Sequence, residues 1–284
     1  MKKANVIVLS GQSNAVGVGH AEYLPDHFDP ERIKKWYDGY DDILINYFSH
    51  DKKSGGFVKT TVGCTEATKL TIGPELGIAD ALDTRYPGEK FFIVKCAFGG
   101  MSLYKDFLSP SGGPEYDAGS FADQLPSIVK NIEAGAVARY SWCYNELVKI
   151  TRESIEALEA AGYEPVIREF CWMQGENDSC SPEHTAEYGR LYDCMINDFR
   201  SEFASYADGC VFADGGISAI WPMYKELNET KRKYAEDHEN CVYIDTIAAG
   251  LTTEHEPHGE PDTYHYDTDC VIKLGHLFAD CVKF

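Results

Sequence analysis

The sequence predicts an α/β fold in which parallel strands are joined by crossover helices. Short apolar runs without alternation recur along the 284 residues, as in strands buried on both faces. Between them lie stretches with a helical apolar period. No repeat and no second zone of composition divides the chain, so residues 1–284 read as one domain.

The first strand is expected over residues 5–9, where Val6, Ile7, Val8 and Leu9 run unbroken toward Ser10-Gly11. The glycine permits a turn that other residues resist, and Gln12-Ser13-Asn14 follow it. A helix carrying Leu76, Ile78, Ala79 and Leu82 precedes a second strand at 91–96. A long helix over 139–161 closes at Gly162 as a left-handed cap, and a strand follows at 166–172. Ser181-Pro182 reads as an N-cap followed by proline at the first helical position. It opens a helix with Tyr188, Leu191, Tyr192, Met195, Ile196, Phe199 and Phe203 on its apolar side. Strands at 210–214 and 241–245 come next, and a last helix begins near Thr268. Residues 49–63 and 105–120, rich in Gly, Ser, Asp and Pro, are expected as loops over the sheet edge.

Composition excludes several classes of function. At 44% hydrophobic the chain can bury a substantial core. Its 46 acidic against 26 basic residues give a formal net charge of -20, which repels a phosphate backbone or an anionic membrane. Nucleic acid and membrane are therefore not expected as partners, while a local pocket for one small acid stays open. No run approaches the ~20 apolar residues of a membrane span. The apolar run after Lys2 and Lys3 is too short for a signal-peptide core. The ten cysteines are scattered, with no Cys-x-x-Cys pair. Cys143, Cys171, Cys194 and Cys210 fall in apolar helix or strand patterns, which suits a reducing compartment and makes a cytoplasmic location the expectation.

A serine hydroxyl is a weak nucleophile that needs a base, a carboxylate to orient the base, and donors for the developing oxyanion. Ser13 on its turn is one candidate nucleophile, although the same turn also reads as a strand-to-helix connection capped by Ser13 or Asn14. Asp262-Thr263-Tyr264-His265 sets a carboxylate three residues before a histidine, close enough to reach its far ring nitrogen. Phe98-Gly99-Gly100-Met101-Ser102 and Trp172-Met173-Gln174-Gly175-Glu176-Asn177-Asp178 each leave a strand end. Their glycines let backbone N–H groups point inward, and Gln174 supplies an amide donor. On a doubly wound sheet these four segments meet at the carboxyl edge of the strands.

Gly11-Gln12-Ser13-Asn14, Gly99-Gly100-x-Ser102-Leu103, Trp172-x-Gln174-Gly175-Glu176 and Asp262-x-x-His265 resemble the four blocks of the SGNH hydrolase superfamily. The likeness is to its sialate O-acetylesterase and acetylxylan esterase branch, and it spans nearly the whole chain in the right order. Gly73-Pro74-Glu75-Leu76-Gly77 is also similar to a segment of that branch. The resemblance implies a three-layer α/β/α sandwich with a central, mostly parallel sheet of flavodoxin-like type, and cofactor-free, metal-free hydrolysis of acetyl esters on sugars. It makes Ser13 the nucleophile, His265 the base and Asp262 its orienting acid. The oxyanion donors are then the N–H groups of Ser13 and Gly100 and the side chain of Gln174. Gln12, Asn14 and Ser102 become substrate-binding residues. Glu176 is a rival acid, which the short Asp262-to-His265 spacing disfavours; it shapes the loop or shares the role. Met173, Met101 and Asn177 depart from the pattern, which leaves the shape of the acyl or sugar pocket open.

The same sequence admits other readings. Tyr47, Phe57, Tyr104, Phe107, Tyr116, Trp221 and Tyr264 lie in loops or near strand ends, where an aromatic ring either stacks on a sugar or packs internally. Glu254, His255, Glu256, His258, Glu260, Asp262, His265, Asp267 and Asp269 crowd one stretch, but Pro257 interrupts any helical His-Glu-x-x-His metal motif. A dinucleotide fingerprint fails because Ser13 stands where the second glycine would be. A lipid ester or thioester hydrolase of the same superfamily, and a non-catalytic carbohydrate-binding protein, remain as alternatives. The expected partner is a small acetylated sugar or oligosaccharide, with the oligomeric state open.

Overall fold

The computed structural model of the chain describes residues 2–65, 70–112 and 142–283. Tyr116, the start of the 139–161 helix and the second half of the 105–120 loop lie outside the described residues. The main sheet runs in the order Cys241–Ile244, Val211–Gly215, Tyr163–Met173, Lys2–Gly11, Phe91–Ala97, Ile43–Ser49. Every neighbouring pair in that run is parallel. Lys52–Lys53 and Val58–Lys59 turn back antiparallel on the outer strand.

Successive residues of a strand point to opposite faces, and this sorts the helices into two layers. On Ile43–Ser49, Asn46 donates to Ser154 of the helix Trp142–Ala160 at 2.9 Å. The next residue, Tyr47, faces the other way and pairs in register with Lys95, whose ammonium reaches Glu75 of the helix Pro74–Arg85 at 2.7 Å. Helices therefore cover both faces, giving the three-layer α/β/α sandwich expected from the resemblance. Among the described residues no helix is long and apolar enough to cross a membrane.

Each of the five expected strands is found. The Ser181 hydroxyl caps the helix Pro182–Glu202 by accepting from His184 N at 3.4 Å, and Gly162 adopts the expected left-handed conformation. The strand Ile43–Ser49 and the helices Pro30–Asp38 and Tyr224–Asp237 were not anticipated. Asn46 breaks the apolar run of the first, and Lys231 sits on the buried stripe of the last between Leu227 and Tyr234. The 49–63 segment is also more ordered than a plain loop, because two short strands fold it onto the sheet.

Four neighbouring strands end level with one another. Gly11 pairs with both Ala97 and Met173, and Ala97 pairs with Ser49. The segments that leave them, beginning at Gln12, Phe98, Gln174 and His50, are thus delivered side by side to one edge. The helix Thr268–Ala279, which follows the His265 loop, is anchored on Pro74–Arg85 through facing glycines. A Cβ on Gly275 would lie 2.1 Å from the Pro74 carbonyl oxygen and 2.7 Å from Gly77 Cα. Asp80 ties the same layer together, accepting from Trp36 Nε1 at 3.0 Å, Tyr40 OH at 3.1 Å and His276 Nε2 at 3.0 Å, with Arg32 also paired to it.

Two outcomes follow for stability. Gly275→Ala should lower the urea midpoint by an amount equivalent to about 2 kcal/mol, because overpacking outweighs the ~1 kcal/mol helical preference for alanine. Burial alone would raise the Asp80 pKa, but its bonds from His276, Arg32 and Trp36 hold it well below the usual carboxylate range. That contribution is complete above the unfolded pKa of ~3.9 and is lost as pH falls toward the lowered native value. Asp80→Asn should therefore cost about 2 kcal/mol at pH 7, with the gap to wild type narrowing in melts recorded below pH 4.

Candidate active site

The site begins with the way the first strand leaves the sheet. Gly11 has φ +139, and a Cβ there would lie 1.9 Å from the Met173 carbonyl oxygen. Gln12 N donates to that same oxygen at 2.9 Å, pinning the turn to the neighbouring strand. A single helical turn, Ser13–Val16, follows, with the Ala15 and Val16 N–H groups both donating to Gln12 O at 2.8 Å. Ser13 N is at the first position of that turn and has no partner among the described residues.

An open cleft of about 410 Å³ is lined by Gln12, Ser13, Val18, His50, Gly99, Gly100, Trp221, Tyr264 and His265. It brings together three of the four sequence segments directly. Gly100 turns with φ +73, its carbonyl held by Asn177 Nδ2 at 2.7 Å, and its N–H has no partner among the described residues. Trp221 and Tyr264 form a tilted ring pair with centroids 5.3 Å apart, and Tyr264 is 54% exposed.

His265 Nδ1 and Asp262 Oδ2 are 2.6 Å apart, and Asp262 also accepts from Tyr264 N at 3.1 Å. Burial pushes the Asp262 carboxyl up, but the His265 contact outweighs it and leaves the group below its ordinary pKa. A carboxylate at Nδ1 places the ring proton there, so Nε2 is the free basic nitrogen. Neither Ser13 Oγ nor His265 Nε2 has a hydrogen-bond partner among the described residues, and both residues line the cleft.

Glu176 sits elsewhere. It is fully buried, and its Oε1 accepts from Asn14 Nδ2 at 2.8 Å, while Oε2 has no partner among the described residues. Burial raises its pKa. Asn14 Oδ1 in turn accepts from Tyr266 N at 3.2 Å, so this pair braces the backbone beside His265. Asn14, expected to touch substrate, is thus buried and engaged within the protein. Ser102 is likewise buried, its hydroxyl donating to Asp106 Oδ2 at 2.8 Å.

Gln174 also differs from expectation. Its Nε2 donates to Met101 O at 3.1 Å, Asp178 Oδ2 at 2.5 Å and Gln12 Oε1 at 3.3 Å, and its side chain is fully buried behind the cleft. A carbonyl and a carboxylate as acceptors fix its amide orientation. Gln12, itself 2% exposed, lines the cleft instead: its Oε1 also accepts from Asn177 N at 3.2 Å, and its Nε2 has no hydrogen-bond partner among the described residues. The side chains of Met101 and Met173 are buried and do not shape the cleft. Of the aromatics near strand ends, Phe107 is buried edge-on against Trp172, Tyr47 is buried, Phe57 packs on Phe92 and Tyr104 stacks on His184. Among the described residues of that set, Trp221 and Tyr264 are the two that reach the cleft.

Two buried lysines hold the loops that carry this cleft, and neither was legible beforehand. Lys95 Nζ donates to Val16 O at 2.6 Å, Glu75 Oε2 at 2.7 Å and Cys64 O at 3.2 Å. Lys231 Nζ donates to Gln174 O at 2.5 Å, Asp214 Oδ1 at 2.7 Å and Gly215 O at 2.8 Å. In the acidic stretch, Asp267 accepts from His255 N, Glu256 N and Thr252 Oγ1 at 2.6–3.1 Å, and Glu256 from Thr268 N at 2.8 Å. Among the described residues no group of three or more His, Cys, Asp or Glu is arranged to hold a metal ion.

Solved structures with a similar fold include a protein of Arabidopsis thaliana, 21% identical over 99% of this chain and 97% of that one, with a TM-score of 0.65. NanS is 17% identical over 98% of this chain and 96% of its own, with a TM-score of 0.63. A carbohydrate acetylesterase from Xanthomonas citri is 15% identical over 98% of this chain and 55% of that one, with a TM-score of 0.58. No curated protein matches the sequence. The model of one family, described as carbohydrate esterase, sialic acid-specific acetylesterase, matches residues 3–283. With nearly its whole length matched, the chain belongs to the carbohydrate esterase family of sialic acid-specific acetylesterases and is a carboxylic ester hydrolase acting on acetylated carbohydrates.

Proposed function

We propose that the protein removes O-acetyl groups from sugars through an acyl-enzyme formed on Ser13. The observation that carries this reading is the 2.6 Å Asp262–His265 pair entering the cleft that Ser13 lines. Ser13 Oγ attacks the acetyl carbonyl carbon while His265 Nε2 takes its proton and Asp262 holds the ring. The oxyanion is met by the N–H groups of Ser13 and Gly100 and by the Gln12 amide, which takes the part first assigned to Gln174. Collapse breaks the ester C–O bond, and the sugar oxygen leaves with the proton from His265. Water then attacks the acetyl-enzyme, gives a proton to His265, and releases acetate as Ser13 recovers its hydrogen.

Each step is supplied by side chains and backbone, so the reading calls on no cofactor and no metal. Trp221 and Tyr264 support a sugar ring beside the scissile ester, whether the substrate is an O-acetyl sialic acid or an acetylated xylan fragment. One domain, residues 1–284, carries the activity. All ten cysteines are free thiols, which supports a reducing, cytoplasmic setting.

Ser13→Ala should reduce kcat/KM for 4-nitrophenyl acetate by at least ~1,000-fold while circular dichroism and Tm hold; retained turnover would remove Ser13 from the mechanism. Asp262→Asn should lose about 1,000-fold or more in kcat. Glu176→Gln, which keeps an acceptor for Asn14, should lose less than about tenfold. The reverse ranking would make Glu176 the acid partner of His265.

A further inference from the structure

One polar side chain lining the cleft has no part in the reaction just proposed. Gln12, Ser13 and His265 serve the chemistry, and Trp221 and Tyr264 supply an aromatic wall; His50 lines the same cleft. It leaves the outer Ile43–Ser49 strand level with the segments that begin at Phe98 and Gln12. Its N–H is fixed on Ala97 O at 3.0 Å. A Cβ on Gly99 would lie 3.4 Å from His50 Cε1, 3.6 Å from its Nδ1 and 3.9 Å from Ser13 Cβ, so the imidazole and the nucleophile flank that glycine.

Two features set this histidine apart. Its backbone is left-handed, φ 55, a conformation that costs a residue with a Cβ free energy and that glycine adopts freely. Its ring is half-buried, yet neither nitrogen has a hydrogen-bond partner among the described residues. A neutral imidazole offers one donor and one acceptor. The acetyl methyl can use neither, and the carbonyl oxygen is already met by the oxyanion donors. The hydroxyls of the sugar remain.

We propose that His50 binds the substrate's sugar, hydrogen-bonding a hydroxyl beside the acetylated carbon and so selecting which ester position is presented to Ser13. The inference rests on the esterase reading above and names a specificity-determining residue within it. The ligand chemistry is an O-acetylated pyranose with a free hydroxyl next to the ester.

The test uses His50→Gly and His50→Asn in the full chain, both compatible with a left-handed backbone. KM and kcat are measured on a monoacetylated methyl xylopyranoside, an O-acetylated sialic acid and 4-nitrophenyl acetate, which has no sugar hydroxyl. His50→Gly should raise KM for the sugar ester that the wild type hydrolyses about three- to tenfold, the worth of one hydrogen bond. The ratio of that KM to the aryl acetate KM should rise at least threefold. His50→Asn, which keeps a donor and an acceptor, should recover most of the loss, and the Tm of His50→Gly should not fall below wild type. An unchanged KM ratio, or a fall in kcat on every ester together with a lower Tm, overturns the proposal and makes His50 structural. Wild-type turnover of the aryl acetate but of neither sugar ester also overturns it, leaving the serine chemistry standing. A wild type inert on all three overturns the esterase reading itself.

Discussion

Everything at this site depends on four parallel strands ending in register at Ser49, Ala97, Gly11 and Met173. A parallel sheet delivers all its exit loops to one edge, but a level edge is what brings single residues from those loops to the lining of one cleft. Gly11 is the tightest point of the arrangement, because the Met173 carbonyl occupies the place where any side chain would begin. The turn thus cannot rise off its neighbour, and Ser13 is set relative to the Gln174 loop before any side chain contributes.

Two lysines then lock the loops on either side. Burying an ammonium group is costly unless its charge is paired and its hydrogens are bonded. Lys95 and Lys231 each have three donors and three oxygen partners, one of them a buried carboxylate. Such pairs contribute little net stability compared with apolar packing, so their value lies in geometry. Lys95 grips the carbonyl at the end of the helical turn that Ser13 begins, and Lys231 grips the carbonyl of Gln174. Both hold main-chain oxygens, which fixes loop paths whatever the side chains on those loops do.

The same distinction explains what could be read from residues alone. Strand 5–9, the Gly11 turn, the Ser181-Pro182 helix start and the Asp262-His265 spacing are local patterns with local physical causes, and each is found. The strand Ile43–Ser49 was missed because Asn46 interrupts its apolar run, and that asparagine is satisfied by Ser154 across the layer and by Ser54 and Gly56 of the segment that folds back on the strand. The helix Tyr224–Asp237 was missed because Lys231 lies on its inner face, where a charge makes sense only once Asp214 is opposite. Gln12 and Gln174 carry the same side chain. Which of them faces the cleft is decided by Met101, Asp178 and Asn177, residues brought together only by the fold. His50 belongs with these, since its strand had not been recognised.

The two carboxylates near His265 show how environment divides labour between like groups. An acid that orients an imidazole must stay ionised through the cycle while the ring gains and loses a proton. Asp262, with a side chain 37% exposed and a direct ring contact, is held below its ordinary pKa and meets that requirement. Glu176 is buried and pushed the other way, with one oxygen unpartnered among the described residues, so charging it is unfavourable. Its position suits a different task. Through Asn14 it joins the loop after Met173 to Tyr266, the residue next to His265, while Asn14 itself is next to Ser13. A protonated or weakly charged acid serves as well as a carboxylate in that bridge, since Asn14 needs only an acceptor. Asp262 is therefore suited to orienting the His265 ring, and Glu176 to setting the spacing between Ser13 and His265.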